Sequence, residues 1–397
     1  MGPARDGALV MGVVVARSGR LAGLGDPPAF AMSSLEPWLD RVRAGTATYP
    51  VRLVSRDSRS TAEGGRRAVR ELAGQKGARI VVTLAGTQVL PAVADGCEEA
   101  GVPCVSSAFP WQAYYYGRGA TEATPFRWTY HFCWGLDAIA ETFTDLWALS
   151  GAGPTVGCLW NDGPQGTWSR EAERGFAAVA RARGYRLVDP AAYQEPAADL
   201  GGHADAFAAA GAELVTSAAT ARDLALFRTT AAERGTHPRL ITCSRRLAYP
   251  PSVTGGERPA QADVATLAYW TPRHPYRSSL DGTTAARLAE EYERHTGCQW
   301  LQPLGLAHAL IEVAVHALRT AADPTDRAAV ADAIARTKLE TVAGPLDWTA
   351  GPVPNVATVR LAGGQWRPGR HHDDELSLVT DGGIDGLRAE ADLVLSR

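Results

Sequence analysis

The 397-residue sequence contains no CxxC pair, no P-loop, no HExxH, no Ser-x-x-Lys and no nucleophile elbow. A zinc module, nucleoside-triphosphate hydrolysis, zincin chemistry and the common serine-hydrolase arrangements are therefore not indicated. It also lacks any Lys/Arg cluster resembling a nucleic-acid footprint, and its 40 basic and 43 acidic residues leave a net charge of -3. That balance points to neither nucleic acid nor an anionic membrane as a partner. Six cysteines, Cys97, Cys104, Cys133, Cys158, Cys243 and Cys298, are too widely spaced for a metal set or a dense disulfide frame. Cys97 and Cys104 flank a helix-to-strand turn and could pair, against a general expectation of free thiols. No export signal is visible. "GALVMGVVVA" (7–16) has the length of a signal-peptide core, but Asp6 beside Arg5 and the missing small-residue cleavage site make it the first strand of a folded domain. No lipid-attachment cysteine precedes Cys97.

What is present is ordinary globular composition, 45% hydrophobic and 21% charged, in a chain long enough for two or three domains. The segment "PFRWTYHFCWG" (125–135) concentrates aromatic rings. It is too short to span a membrane, which needs roughly 18 or more apolar residues, and it carries Arg127 and His131. Trp128, Tyr130, Phe132 and Trp134 alternate with Arg127, Thr129, His131 and Cys133, as in a strand with two distinct faces. Such a row of rings suits plain core first, and a ligand cleft or interface second, because Tyr and Trp carry polar tips that need partners.

Short apolar runs alternate with helical patterns along the chain. Strands are expected at "VRLVSRDS", "RIVVTLAG" and "VPCVSS", and after the aromatic strand at "TVGCLW", "YRLVD", "AELVTSA" and "PRLITCS". Between them lie helices over 29–42, 136–149, 169–183, 200–210 and 221–234. A further helix through Val69 and Leu72 is expected to start at a Ser60/Glu63 capping box. Helices over 285–296, 305–319 and 326–337 follow. This alternation predicts βαβ units with parallel sheets, organised as two α/β halves that meet near Gly135. The third region, too small for a domain of its own, is divided between them.

Candidate sites are diffuse. The loop 18–26 follows a strand, but its glycines have the wrong spacing for a dinucleotide fingerprint, so NAD binding is rejected. "LAGTQ" and "VSSAFPW" leave the third and fourth strands at the carboxyl edge of a parallel sheet, where open α/β folds bind ligands. Their Thr87, Ser106 and Ser107, with helix N-terminal amides, suit a carboxylate, although routine N-capping uses the same side chains. "WNDGPQGTW" supplies Asn161, Asp162, Gln165 and Trp168 to the second half's rim. His308, Glu312 and His316 on "GLAHALIEVAVHAL" are expected to form a solvated polar face rather than a metal set. "HHDDE" (371–375) is expected to be a polar loop.

Together these features resemble the type I periplasmic solute-binding proteins of the branched-chain amino acid group, which serve ABC importers. "GVVVARSGRLAGLGD" resembles that family's opening strand and loop. "VRLVSRDSRSTAEGGRRAVREL" is similar to its second strand and helix, "IVVTLAGTQVLPAVADGCEEAGVPCVSSAF" to its ligand-carboxylate region, and "LETVAGPLDW" to its late return crossover. The resemblance implies two Rossmann-like lobes with parallel sheets, joined by a three-segment hinge that closes on a ligand. It divides the chain into lobe 1 (7–134 and 270–345) and lobe 2 (135–269 and 346–397), with crossovers near 132–136, 268–272 and 343–348. It implies that Ala85, Gly86, Thr87, Ser106, Ser107 and Ala108 hold the ligand's anionic end. Phe109, Trp111, Trp128 and Tyr130 would contribute ring surface, while Asp162, Trp168, Ser217, Thr220 and Ser244 close from the second lobe. Amino-acid-binding members place an acidic residue where Ser244 is aligned, and Arg245 and Arg246 follow it here. The ligand is thus expected to be an aromatic or otherwise bulky carboxylate. By the same resemblance the protein is a non-catalytic, extracytoplasmic binding module, a monomer or weak dimer, with an ABC permease as partner and no cofactor or metal. A cytoplasmic sensor of the same fold is the alternative, and an enzyme using His131 and Asp162 a more distant one.

Overall fold

A computed structural model describes residues 7–39, 42–86, 88–245 and 264–396. Along the chain the strands are β1 (Leu9–Val15), β2 (Val42–Ala44), β3 (Ala47–Tyr49), β4 (Val51–Asp57), β5 (Ile80–Thr83), β6 (Cys104–Ser106), β7 (Thr129–Cys133), β8 (Thr155–Leu159), β9 (Arg186–Val188), β10 (Leu214–Ser217), β11 (Leu240–Cys243), β12 (Val264–Ala268), β13 (Lys338–Thr341), β14 (Gly344–Asp347), β15 (Val356–Thr358), β16 (Ala362–Pro368) and β17 (Asp374–Leu378). The α-helices are α1 (Asp26–Leu35), α2 (Ala62–Arg70), α3 (Leu90–Ala100), α4 (Trp111–Tyr115), α5 (Leu136–Ser150), α6 (Pro164–Arg170), α7 (Phe176–Ala182), α8 (Gly201–Ala209), α9 (Ala221–Glu233), α10 (Ala285–Thr296), α11 (Pro303–Thr320) and α12 (Arg327–Ala335).

The chain forms two compact units, Met1–Trp134 with Trp270–Val359, and Gly135–Tyr269 with Arg360–Arg397. The first is built on a six-stranded sheet of order β15-β7-β6-β5-β1-β4, parallel throughout. All seven residues of β1 are buried, as expected for a central strand covered on both faces. The second carries a seven-stranded sheet of order β17-β16-β12-β11-β10-β8-β9, in which β16 and β17 are antiparallel additions to a parallel core. In the first sheet the chain passes from β1 to β4 on one side and then to β5 on the other. In the second it passes from β8 to β9 and then to β10. Each sheet therefore has a topological switch point, at β1/β5 and at β8/β10, where parallel α/β sheets open a crevice beyond their carboxyl edges.

Several local expectations change. Residues 346–359, expected in the second half, lie in the first unit because β15 pairs parallel with β7 in the register Val356↔His131. The helix expected over 29–42 is α1 followed by the 3-10 turn Glu36–Trp38. It starts earlier because Pro27 and Pro28 occupy its first turn, and Val42 already belongs to β2. The helix expected over 169–183 is two pieces, α6 and α7. Gly175 separates them at φ +93, a backbone angle that side-chain-bearing residues rarely adopt, and Glu171 accepts the amides of Glu173 and Arg174. The cap of α2 is Thr61, whose hydroxyl accepts from Gly64 N at 3.0 Å, and not Ser60. Ser60 sits at φ +56 and donates its hydroxyl to Ser18 O at 2.6 Å.

Of the polar set on α11, His316 is half-buried but His308 and Glu312 are not solvated. His308 and Glu312 are 1% and 0% exposed, because α11 is buried along nearly its whole length. Glu312 Oε2 accepts Ser279 N at 2.6 Å and Ser279 Oγ at 2.7 Å, while Oε1 accepts Val342 N and His308 Nδ1, both at 3.0 Å. A buried carboxylate is tolerable only with such complete pairing. It fixes two loops to the helix from inside the first unit.

Candidate functional site

At the carboxyl edge of the first sheet, β1 and β4 end in an interlocked pair of turns. Asp57 Oδ1 accepts the amides of Arg17 (2.9 Å) and Arg59 (2.8 Å), and Oδ2 accepts Ser18 Oγ at 2.6 Å. Partial burial works against its charge, but the Ser18 hydroxyl and these amides outweigh it and lower its pKa. Arg59 and Ser60 both hold positive φ, 53 and 56. Across the switch point, Leu21 covers the loop after β5 so closely that a Cβ on Gly86 would lie 2.8 Å from Leu21 Cδ1. Arg20 Nη2 donates to Gln88 Oε1 at 2.8 Å. Ala85 is buried and Gly86 half-buried at this loop, and Thr87 lies outside the described residues.

The loop after β6 is the most constrained part of the edge. Ser106 and Ser107 are both 0% exposed, and their hydroxyls are engaged internally. Ser107 Oγ donates to Phe132 O at 2.6 Å, and Ser106 Oγ lies 2.9 Å from His131 Nδ1. Ala108 then adopts φ +72, which costs a side-chain-bearing residue about 1–2 kcal/mol. Phe109 follows, and its carbonyl lies 2.7 Å from His131 Nε2. A carbonyl can only accept, so Nε2 carries the proton and Nδ1 accepts from Ser106. Tyr114 stacks on the imidazole with centroids 4.1 Å apart and planes 13° from parallel, and Arg118 lies over Tyr114. Burial, followed in order by the opposing Phe109 bond and the Arg118 charge, lowers the His131 pKa to about 3. His131 is thus a neutral strut that locks the strained Ala108–Phe109 turn. Phe109 and Trp111 are largely buried beside it, and Trp111 N donates to Trp134 O at 3.1 Å.

Two of the expected ring residues do not join this edge. Trp128 immediately precedes β7 at the amino end of the sheet, where its amide donates to Glu98 Oε1 at 2.9 Å. Tyr130 is buried, and burial together with the charges of Asp332 and Glu98 raises its pKa to about 12. The alternating aromatic pattern therefore separates into core rings and a single edge, decided by how far along β7 each ring lies.

At the carboxyl edge of the second sheet, Gln165 Nε2 donates to Ser244 Oγ at 2.5 Å, and Ser244 N donates to Ser217 O at 3.0 Å. Ser217 Oγ accepts Ala219 N at 2.9 Å, and Thr220 caps α9 by accepting Asp223 N at 3.2 Å. Asp162 is exposed, with its amide bonded to Tyr193 O, and Trp168 is half-buried on α6. The structure adds a group that sequence inspection did not pair. Glu195 forms an ion pair with Arg245 and accepts Asn161 Nδ2 at 2.6 Å, while Arg245 Nη1 also reaches Ala218 O at 3.3 Å. Glu195 lies 50 residues before Arg245, and no local spacing signals that they meet. Arg246 lies outside the described residues.

Among the described residues the one hydroxyl bonded to an imidazole on these edges, Ser106 on His131, is sealed, with both residues 0% exposed. Among the described residues no group of three or more His, Cys, Asp or Glu could hold a metal ion. At "HHDDE" the Glu375 carboxylate accepts the amides of Arg370, His371 and His372, which makes it a loop clasp. No described helix is long and apolar enough to cross a membrane. Both edges instead offer hydroxyls, rings and fixed backbone, the equipment of a binding surface.

Solved structures share this fold. A solute-binding protein of an ABC transporter from R. palustris, in complex with 4-hydroxybenzoate, superposes with a TM-score of 0.72 at 14% identity, covering 94% of this chain and 96% of that one. The branched-chain amino acid transporter substrate-binding protein LivJ of Streptococcus pneumoniae, in complex with isoleucine, gives 0.67 at 12% identity, covering 98% and 100%. The leucine-binding protein LivK of Thermotoga maritima gives 0.71 at 15% identity, covering 93% and 97%. No curated protein matches the sequence. The family model described as "Periplasmic binding protein" matches residues 9–365. With two α/β units of type I architecture and that match over most of its length, the chain belongs to the periplasmic binding protein family.

Proposed function

We propose that this protein is the solute-binding component of an ABC importer, and that it closes on a small, bulky carboxylate of aromatic type. The observation that carries the reading is the turn after β6, where Ala108 is held at φ +72 by a buried His131 strut immediately before Phe109 and Trp111. Left-handed backbone at a non-glycine residue persists only where surrounding structure imposes it, and it concentrates at ligand sites. This turn lies beside the switch point of the first sheet, with Ala85, Gly86 and Thr87 on the neighbouring loop. The Ser106 and Ser107 hydroxyls support the turn from behind, so the ligand's carboxylate meets the backbone amides of these loops and Thr87.

The second unit contributes Ser217, Thr220, Ser244, Asp162 and Trp168. Its acidic Glu195 is already ion-paired with Arg245 and hydrogen-bonded by Asn161, and Ser244 stands where amino-acid-binding members place an acidic residue. That favours an aromatic acid over leucine, isoleucine or valine, in line with the 4-hydroxybenzoate complex of a similarly folded protein. The implied partners are the small ligand and an ABC permease, and the implied location is extracytoplasmic.

The test is a thermal-shift series with 4-hydroxybenzoate, 3,4-dihydroxybenzoate, leucine, isoleucine and valine, followed by mass spectrometry of each recovered ligand. A ligand at 100 times its dissociation constant adds about 2.7 kcal/mol. Stabilisation by an aromatic acid that is recovered unchanged is expected. Stabilisation by the aliphatic amino acids alone would overturn the ligand class, and a chemically altered ligand would overturn the binding role. Removing the Thr87 hydroxyl should weaken ligand by about 1 kcal/mol or more through a lost direct bond, and removing that of Ser106 should weaken it through the loosened turn; unchanged affinity in both would remove this site.

A further inference from the structure

Behind the candidate site, the α3 face of the first sheet holds two thiols that the binding role does not use. Cys97 lies on the inner face of α3, and Cys104 opens β6 in register with Thr129. Both are 0% exposed. The helix ends in Gly101 with left-handed backbone, and Val102 N returns to Cys97 O at 3.1 Å, so the chain doubles back over Cys97 within a few residues. Cys104 thereby comes back toward it, near enough for the two sulfurs to act on each other electrostatically, and both stand as buried free thiols in the structure. Arg118, which donates to Thr129 Oγ1 at 3.2 Å, belongs to the same layer. Among the other cysteines, Cys133 stands four residues beyond Thr129 at the far end of β7, Cys158 and Cys243 belong to the second unit, and Cys298 is exposed. Only one pairing is therefore geometrically open to the first unit's buried thiols.

We infer that Cys97 and Cys104 are a disulfide site, closed during folding in an oxidising compartment and inert afterwards. The step is thiol–disulfide exchange with an external disulfide such as oxidised glutathione. One thiolate attacks that disulfide and releases one reduced thiol, and the second thiolate then displaces the other, forming the Cys97–Cys104 bond and leaving two reduced thiols. The thiolate is the attacking species, and attack needs access. In the folded protein both sulfurs are sealed and burial raises the Cys97 pKa, so the reduced native state resists bulk oxidant. The bond joins the end of α3 to the start of β6 directly behind Ser106. It covalently fixes the strand that carries the Ala108 turn.

Intact-mass counting of thiols tests this. Folded protein is produced once in a reducing and once in an oxidising host compartment, denatured in N-ethylmaleimide and weighed. Six adducts are expected from the first and four from the second, with a linked peptide pair released by cleavage after Glu98 or Glu99. Six adducts from both, or a bond from Cys97 or Cys104 to any other cysteine, would overturn the inference. The Cys104→Ser protein from the oxidising host should show five adducts, because Cys97 has no second partner; three would refute the assigned pair. Exposing folded, reduced protein to oxidised glutathione should leave Cys97 and Cys104 alkylatable, and rapid pairing there would contradict closure during folding.

Discussion

Mild acid should weaken the first unit through His131, by an amount that follows from its burial. The side chain is 0% exposed and its folded pKa is lowered from 6.5 to about 3. Because the folded value is the depressed one, the neutral ring's stabilising contribution is complete above about pH 6.5. It is lost as the unfolded chain takes up a proton that the native state refuses, through the window from about 6.5 down to about 3. At pH 5 the native ring is still neutral, 1.5 units below the unfolded pKa, and each unit is worth about 1.4 kcal/mol, so His131 costs the fold about 2 kcal/mol. His274, 3% exposed and lowered to about 4 by burial, adds a loss of about 2 kcal/mol in the same unit. Asp57 and Asp281, lowered from 3.8, act only at more acid pH. Urea unfolding followed by tryptophan fluorescence at pH 7, 6 and 5 is the assay, on the parent and on His131→Gln. The parent should lose about 4 kcal/mol from pH 7 to 5, and the variant about half of that. At pH 7 the variant should be weaker by about 1–3 kcal/mol, because the Ser106 hydroxyl and Phe109 carbonyl lose ideal partners. Equal pH losses in the two proteins would refute the neutral-strut reading.

Glu312→Ala, which strands the Ser279 and Val342 amides and His308, should cost about 3–5 kcal/mol, and Glu312→Gln clearly less; calorimetric Tm values within a degree of the parent would show the clasp to be unimportant. Ala108→Gly should stabilise the free protein slightly or leave it unchanged, since glycine accepts φ +72 freely, while ligand affinity measured by calorimetry falls as the turn loosens. Thr61→Ala should cost about 1 kcal/mol in chemical unfolding as the α2 cap is lost.

Much of the architecture was legible because it depends on local periodicity. The all-buried run of β1, the alternating helices and the carboxyl-edge position of "LAGTQ" and "VSSAFPW" follow from patterns within about ten residues, and the family resemblance placed the two units in order. What the sequence misassigned shares one cause, which is that burial and partners are set by distant chain. Polar residues on α11 read as a wet face, yet the helix is enclosed and Glu312 is satisfied by Ser279 and Val342, about 30 residues away on either side. Ser106 and Ser107 read as ligand hydroxyls, yet β7 lies alongside and takes both through His131 and Phe132 O.

By itself, then, the sequence determined the α/β class, the parallel sheets and the loops that reach their carboxyl edges, because hydrophobic period and glycine, proline and capping signals act over short distances. Tertiary structure alone decided that the turn after β6 is strained and braced by a neutral His131. It alone decided that Glu195 is claimed by Arg245, that Tyr130 belongs to the core, and that Trp128 stands half-buried at the amino end of β7. Each of these rests on a contact between side chains whose spacing in the chain bears no relation to their distance in space.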